Sequence, residues 1–113
     1  MRHDVVRHNE PLSQPVLLIL LSLAAEPRHG YAILKDVEKL SGNRVRMSTG
    51  TLYGAIRRLL EDRWIERFRE VDAPRDRQAY RLTPAGRKVV AEEVHRMKLL
   101  TRVATLRLAG LEG

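Results

Sequence analysis

The sequence predicts a mainly helical α+β domain in the order helix, helix, helix, two-stranded hairpin, long helix. Apolar residues recur at helical spacing through three stretches before Asp62. From Trp64 the pattern changes to period-2 alternation, runs into a turn-rich segment and returns as a second short strand. Thr83-Pro84 then carries the chemistry of a helix start, an N-cap residue followed by proline in the first turn. With 113 residues the chain makes one domain, and with 4% aromatics its core must come from Leu, Val, Ile and Ala.

Residues 1–12 are polar, basic and without apolar period, as expected of a flexible arm. Ser13 is placed to cap the first helix, and Pro15 is tolerated in its first turn. Val16 to Leu21 and Leu23 are apolar almost all round that helix, which must then be buried on several sides. So small a domain predicts a second subunit on one face, and Leu17, Leu20 and Leu21 are the expected contacts. Pro27 ends the helix near Ala25.

Arg28-His29-Gly30 reads as a turn, and a second helix follows over Gly30–Leu40 with Tyr31, Ile33, Leu34, Val37 and Leu40 at inward spacing. Ser41-Gly42-Asn43 terminates it by a glycine route. Ser48-Thr49-Gly50 opens a third helix reaching about Asp62, with Leu52, Ile56, Leu59 and Leu60 as its core stripe. Gly50, Gly54, Arg57, Arg58 and Glu61 point the other way, with Thr51 and Tyr53 on the flanks. Trp64–Val71 and Arg77–Leu82 read as two strands around the turn Asp72-Ala73-Pro74-Arg75-Asp76. The last helix should run to about Leu108. Val90, Val94, Met97, Thr101, Ala104 and Leu108 alternate spacings of four and three along it, a coiled-coil-like seam and the second part of the expected subunit interface. Two short helices meeting at a tight turn, followed by a basic hairpin, describe a winged helix-turn-helix over residues 13–82, with residues 83–113 as a dimerisation helix.

Lys and Arg number 21 against 14 acids, for a net charge of +7 and a pI near 10.5. That excess favours a polyanionic partner, and the preponderance of Arg, which grips phosphate bidentately, favours double-stranded nucleic acid. The absence of cysteine excludes disulfides, thiolate metal sites and cysteine nucleophiles. The longest apolar run is too short to span a bilayer and lacks a signal-peptide arrangement, so a cytoplasmic protein with no membrane association is expected. His3, His8, His29 and His95 are scattered, and Glu92-Glu93 beside His95 reads as surface. No constellation suggests an enzyme, a metal or a cofactor.

The third helix meets the requirements of a recognition helix, whose N-terminal residues approach base edges in the major groove. Ser48, Thr49 and Thr51 offer hydroxyls, and Ser48 doubles as the cap. Gly50 and Gly54 remove bulk where the helix must press close; a helix-interior glycine costs about 1 kcal/mol relative to alanine, so Gly54 asks for a reason. Arg57 and Arg58 can reach phosphates, Tyr53 can place its hydroxyl on one, and Arg75 and Arg77 bracket the wing tip. The rival reading is a protein-interaction module working through the last helix, with the basic face incidental.

The stretches Leu17-Leu18-Ile19-Leu20-Leu21-Ser22-Leu23, His29-Gly30-Tyr31-Ala32-Ile33, Gly50-Thr51-Leu52-Tyr53-Gly54-Ala55-Ile56-Arg57-Arg58-Leu59 and Tyr80-Arg81-Leu82-Thr83-Pro84-Ala85-Gly86-Arg87 resemble, in order, the motifs of the PadR (phenolic acid decarboxylase repressor) family. The single C-terminal helix is similar to that of its short branch. The resemblance implies a dimeric, inducer-responsive repressor whose first and last helices form the interface, with an apolar cavity near the dimer axis. Two recognition helices held one DNA turn (about 34 Å) apart would engage the half-sites of a palindromic operator, and a small molecule between the subunits would change their separation and release it. Two features depart from the family pattern. Arg63-Trp64 stands where a glycine commonly ends the recognition helix, and Ala79-Tyr80 keeps one of two paired wing aromatics.

Overall fold

The computed structural model describes residues 11–68 and 78–110. Its elements are α1 (Gln14–Ala25), β1 (Arg28–His29), α2 (Gly30–Leu40), α3 (Thr49–Glu61), β2 (Ile65–Phe68), β3 (Ala79–Leu82) and α4 (Pro84–Leu108). The predicted mainly helical class and the helix order are both observed. Ser13 accepts from the Val16 amide, Ser48 from the Thr51 amide and Thr83 from the Gly86 amide, so three of the four helices among the described residues start on hydroxyl caps.

The hairpin is part of a three-stranded antiparallel sheet in the order β1-β3-β2. β1 is the segment expected to be a turn. It pairs Arg28 with Tyr80 and His29 with Ala79, and two residues are too few to show a periodicity. β2 starts one residue later than expected, because Trp64 belongs to the turn closing α3. Trp64 and Ile65 are consecutive and both buried, which breaks the alternation drawn for that strand. Arg75 and Arg77 lie outside the described residues.

The core is built by Leu18, Ile19, Leu20 and Leu23 of α1, Ile33 and Val37 of α2, Leu52, Ile56 and Leu59 of α3, Trp64, Ile65, Tyr80 and Leu82 of the sheet region, and Val90 of α4. The chain therefore encloses most of α1 by itself. Leu20 is completely buried and Leu17 and Val90 nearly so, correcting their expected place at a subunit interface; only Leu21 of that α1 trio keeps partial exposure. α1 is wrapped by α2, β3 and α4 together, which a reading of its apolar circumference could not apportion. Tyr31 and Leu40 correct the other way, since both are exposed despite their inward spacing.

α2 and α3 end in the same hydrogen-bond pattern. At α2 the Asn43 amide reaches the Glu38 carbonyl and Gly42 reaches Lys39; at α3 the Trp64 amide reaches Leu59 and Arg63 reaches Leu60. Both are Schellman closures, which need a left-handed residue just past the helix. Gly42 supplies it at φ 62° and Arg63 at φ 63°. The departure at Arg63 thus leaves the turn geometry intact and puts a side chain where glycine is favoured.

Candidate nucleic-acid interface

α3 buries Leu52, Ile56 and Leu59, packs Ala55 and Leu60 partly against the core, and turns its opposite face outward. Ser48, Thr49, Gly50 and Thr51 form its exposed N-terminal turn. The Ser48 hydroxyl donates to Thr51 Oγ1 at 3.1 Å while accepting the Thr51 amide at 3.1 Å, so the two hydroxyls are held as a pair at the helix start. A Cβ on Gly54 would meet nothing within 4 Å, and one on Gly50 would make only an ordinary contact with Ser48 Oγ at 3.9 Å. Neither glycine has a positive φ, so nothing within the described residues requires glycine at either place.

Arg57 and Arg58 are exposed one turn further on, and an open depression is lined by Thr51, Gly54, Ala55, Arg57, Arg58 and Glu61. Eight of the ten expected DNA residues thus stand on or beside one helix, outside the core. Tyr53, at 44% exposure, differs from the others because its ring end rests on Gly30 at the start of α2. Across β2 and β3 the exposed Arg81 Nε donates to Glu66 Oε2 at 2.7 Å, with its guanidinium over the Phe68 ring. Burial raises the Tyr80 phenol above its ordinary pKa, the nearby Tyr53 adds to the rise, and Arg67 opposes it.

On α4 the large exposed apolar residues are Met97, Leu99, Leu100, Val103 and Leu108. Glu93, Arg96, Met97, Leu99, Leu100 and Val103 share a shallow, largely apolar groove with Pro11. Of the expected seam, Val94 is partly buried against the core, while Met97, Thr101, Ala104 and Leu108 are exposed. A strict four-three count passes over Leu99, Leu100 and Val103, which are exposed on the same helix. Glu93 corrects its reading as surface: it is 6% exposed and accepts from Arg96 Nη2 at 2.7 Å. Among the described residues no group of three or more His, Cys, Asp or Glu could hold a metal ion, and no helix is long and apolar enough to cross a membrane.

The family model described as the transcriptional regulator PadR-like family matches residues 19–92, well over half of the chain. The chain belongs to the PadR-like family of transcriptional regulators. This PadR-like chain is 37% identical over 86 residues to the transcriptional regulator Rv3488 of Mycobacterium tuberculosis, covering 76% of this chain and 78% of that one. It is 39% identical over 85 residues to an uncharacterized 37.1 kDa protein in transposon TN4556 of Streptomyces fradiae; the match covers 75% of this chain but 23% of that protein. A solved transcriptional regulator from Clostridium thermocellum superimposes with a TM-score of 0.68 at 25% identity, covering 90% of this chain and 92% of that one. The PadR-like family is one of regulators, not of enzymes.

Proposed function

We propose that this PadR-like regulator is a cytoplasmic homodimer that binds a palindromic operator through α3 and acts as a ligand-responsive repressor. The observation that carries the reading is the outer face of α3, where paired hydroxyls, two glycines not required by the described packing and two exposed arginines share one helix. Ser48, Thr49, Gly50, Thr51 and Gly54 would meet the major groove, and Arg57 and Arg58 the phosphates. Tyr53 stands on the flank of that face, and Arg75 and Arg77 would extend it along the wing.

The apolar surplus of α4 supports the dimer. Leu99, Leu100 and Val103 would be unfavourable in water and form one face with Met97. Two copies joined there would hold two α3 helices about one DNA turn, ~34 Å, apart. A small molecule lodged between the subunits would change that separation and release the operator.

The decisive experiment is a mobility shift with the DNA upstream of the protein's own gene at several salt concentrations. Sequence-preferring binding by a dimer, weakening steeply with salt, is the expected result. Arg57→Ala should flatten the salt slope by about 0.9, the loss of one phosphate contact. Binding without sequence preference would reduce the chain to a basic DNA-coating protein, and no binding would favour a protein-interaction module built on α4.

A further inference from the structure

Gly30 is the first residue of α2, and its φ lies outside the left-handed region, so conformation alone does not call for glycine there. Space does. A Cβ on Gly30 would collide with the Tyr53 hydroxyl and lie 2.6 Å from Tyr53 Cζ. The far end of the Tyr53 ring therefore sits directly on the backbone at the start of α2.

That seat is where three elements meet. β1 feeds straight into Gly30, and its Arg28 and His29 pair with Tyr80 and Ala79 of the central strand β3. Tyr80 is buried and near Tyr53, and it faces Arg67 across the β2–β3 ladder. The Tyr53 ring thus touches the start of α2 beside the sheet that carries the wing.

The first two turns of α3 have few other anchors. Thr49, Gly50 and Thr51 are exposed, and Leu52 is the one fully buried side chain before Ile56. Leu52 and Ile56 fix how deep this end of α3 lies, with Met47 and Ala55 partly buried beside them, but contacts along a single stripe leave the helix free to rock about that line. A second contact, off to the side, removes that freedom.

We propose that Tyr53 is a positioning residue: its seat on Gly30 sets the pitch of the N-terminal turn of α3 relative to the wing, and sequence discrimination depends on that seat rather than on a bond from the phenol to DNA. The inference rests on the reading of α3 as the DNA-facing helix. Base contacts demand fixed donor and acceptor positions, whereas phosphate contacts tolerate small displacements. Loss of the seat should therefore reduce discrimination more than affinity for DNA in general.

The test uses the full chain as wild type, Gly30→Ala, Tyr53→Ala, Tyr53→Phe and the double variant Gly30→Ala/Tyr53→Ala. For each, the affinity ratio between a duplex selected from random DNA by the wild type and an unrelated duplex is measured, with thermal unfolding alongside. Tyr53→Ala and Gly30→Ala should each lower the ratio about tenfold or more, the scale of one lost base contact, with weaker effects on the unrelated duplex. Tyr53→Phe, which keeps the ring, should restore most of the ratio. The double variant should be little worse than Tyr53→Ala, since the added methyl then has nothing to displace. Tyr53→Phe as damaging as Tyr53→Ala would make the phenol a direct DNA contact and overturn the proposal; so would additive losses in the double variant. If Gly30→Ala fails to fold, the comparison of Tyr53→Phe with Tyr53→Ala decides alone. A wild-type chain that selects no sequence would instead overturn the DNA reading of α3, and this inference with it.

Discussion

Thr83 donates its hydroxyl to the carbonyl of Arg63 at 2.7 Å and accepts the Gly86 amide on the same oxygen at 3.0 Å. One side chain thereby caps α4 and holds the turn that closes α3, twenty residues earlier. Its own amide bonds the Trp64 carbonyl at 3.0 Å, completing the joint between α3 and α4. Thr83→Ala should lower stability by about 1–2 kcal/mol, the upper range for a lost cap, while Thr83→Ser should lose much less. Denaturant unfolding of the two variants checks this, and equal losses would show that the methyl rather than the hydroxyl matters.

Arg63 sits at φ 63° in a Schellman closure, a position that costs an L-residue roughly 1–2 kcal/mol. Arg63→Gly should stabilise the domain by about 0.5–1 kcal/mol, less than the full strain because glycine also loosens the unfolded chain. A lower melting temperature in Arg63→Gly would mean that the arginine side chain makes a compensating contact.

Two glycines should respond oppositely to alanine. A Cβ on Gly86 would run into the Trp64 carbonyl and lie 2.9 Å from Leu82 Cδ1, so Gly86→Ala should destabilise by about 1–3 kcal/mol. Gly54 has open space around it, and Gly54→Ala should stabilise by up to about 1 kcal/mol. If α3 lies in the groove, the same Gly54→Ala protein should bind its operator more weakly. Raised melting temperature with unchanged operator affinity would remove Gly54 from the interface.

Charge on the exposed face of α4 should separate subunits without unfolding them. Leu100 is 67% exposed in the single chain and lies outside its core. Leu100→Glu and Val103→Glu should leave the helical circular dichroism intact and shift sedimentation to the monomer at micromolar concentration. Val90→Glu should instead unfold the chain, because Val90 belongs to the chain's own core.

How much was legible in the sequence follows how local each feature is. Ser13, Ser48 and Thr83 were readable as caps, and the helices they open begin where expected, because a cap is settled by a hydroxyl and the next three residues. The hydroxyl, glycine and arginine face of α3 was likewise readable, since the helical period alone puts Leu52, Ile56 and Leu59 inside. Packing between distant segments decided the rest. Periodicity marked Leu20 and Val90 as apolar but could not say whether chain or partner covers them, and the tertiary fold gives both to the chain. It likewise turned a presumed turn into β1 by laying it against β3, buried Glu93, and brought Tyr53 onto Gly30. Helix starts and faces are local free energies that a few neighbouring residues set. Which surface is left over depends on contacts between residues far apart in the chain, and only the assembled core fixes those.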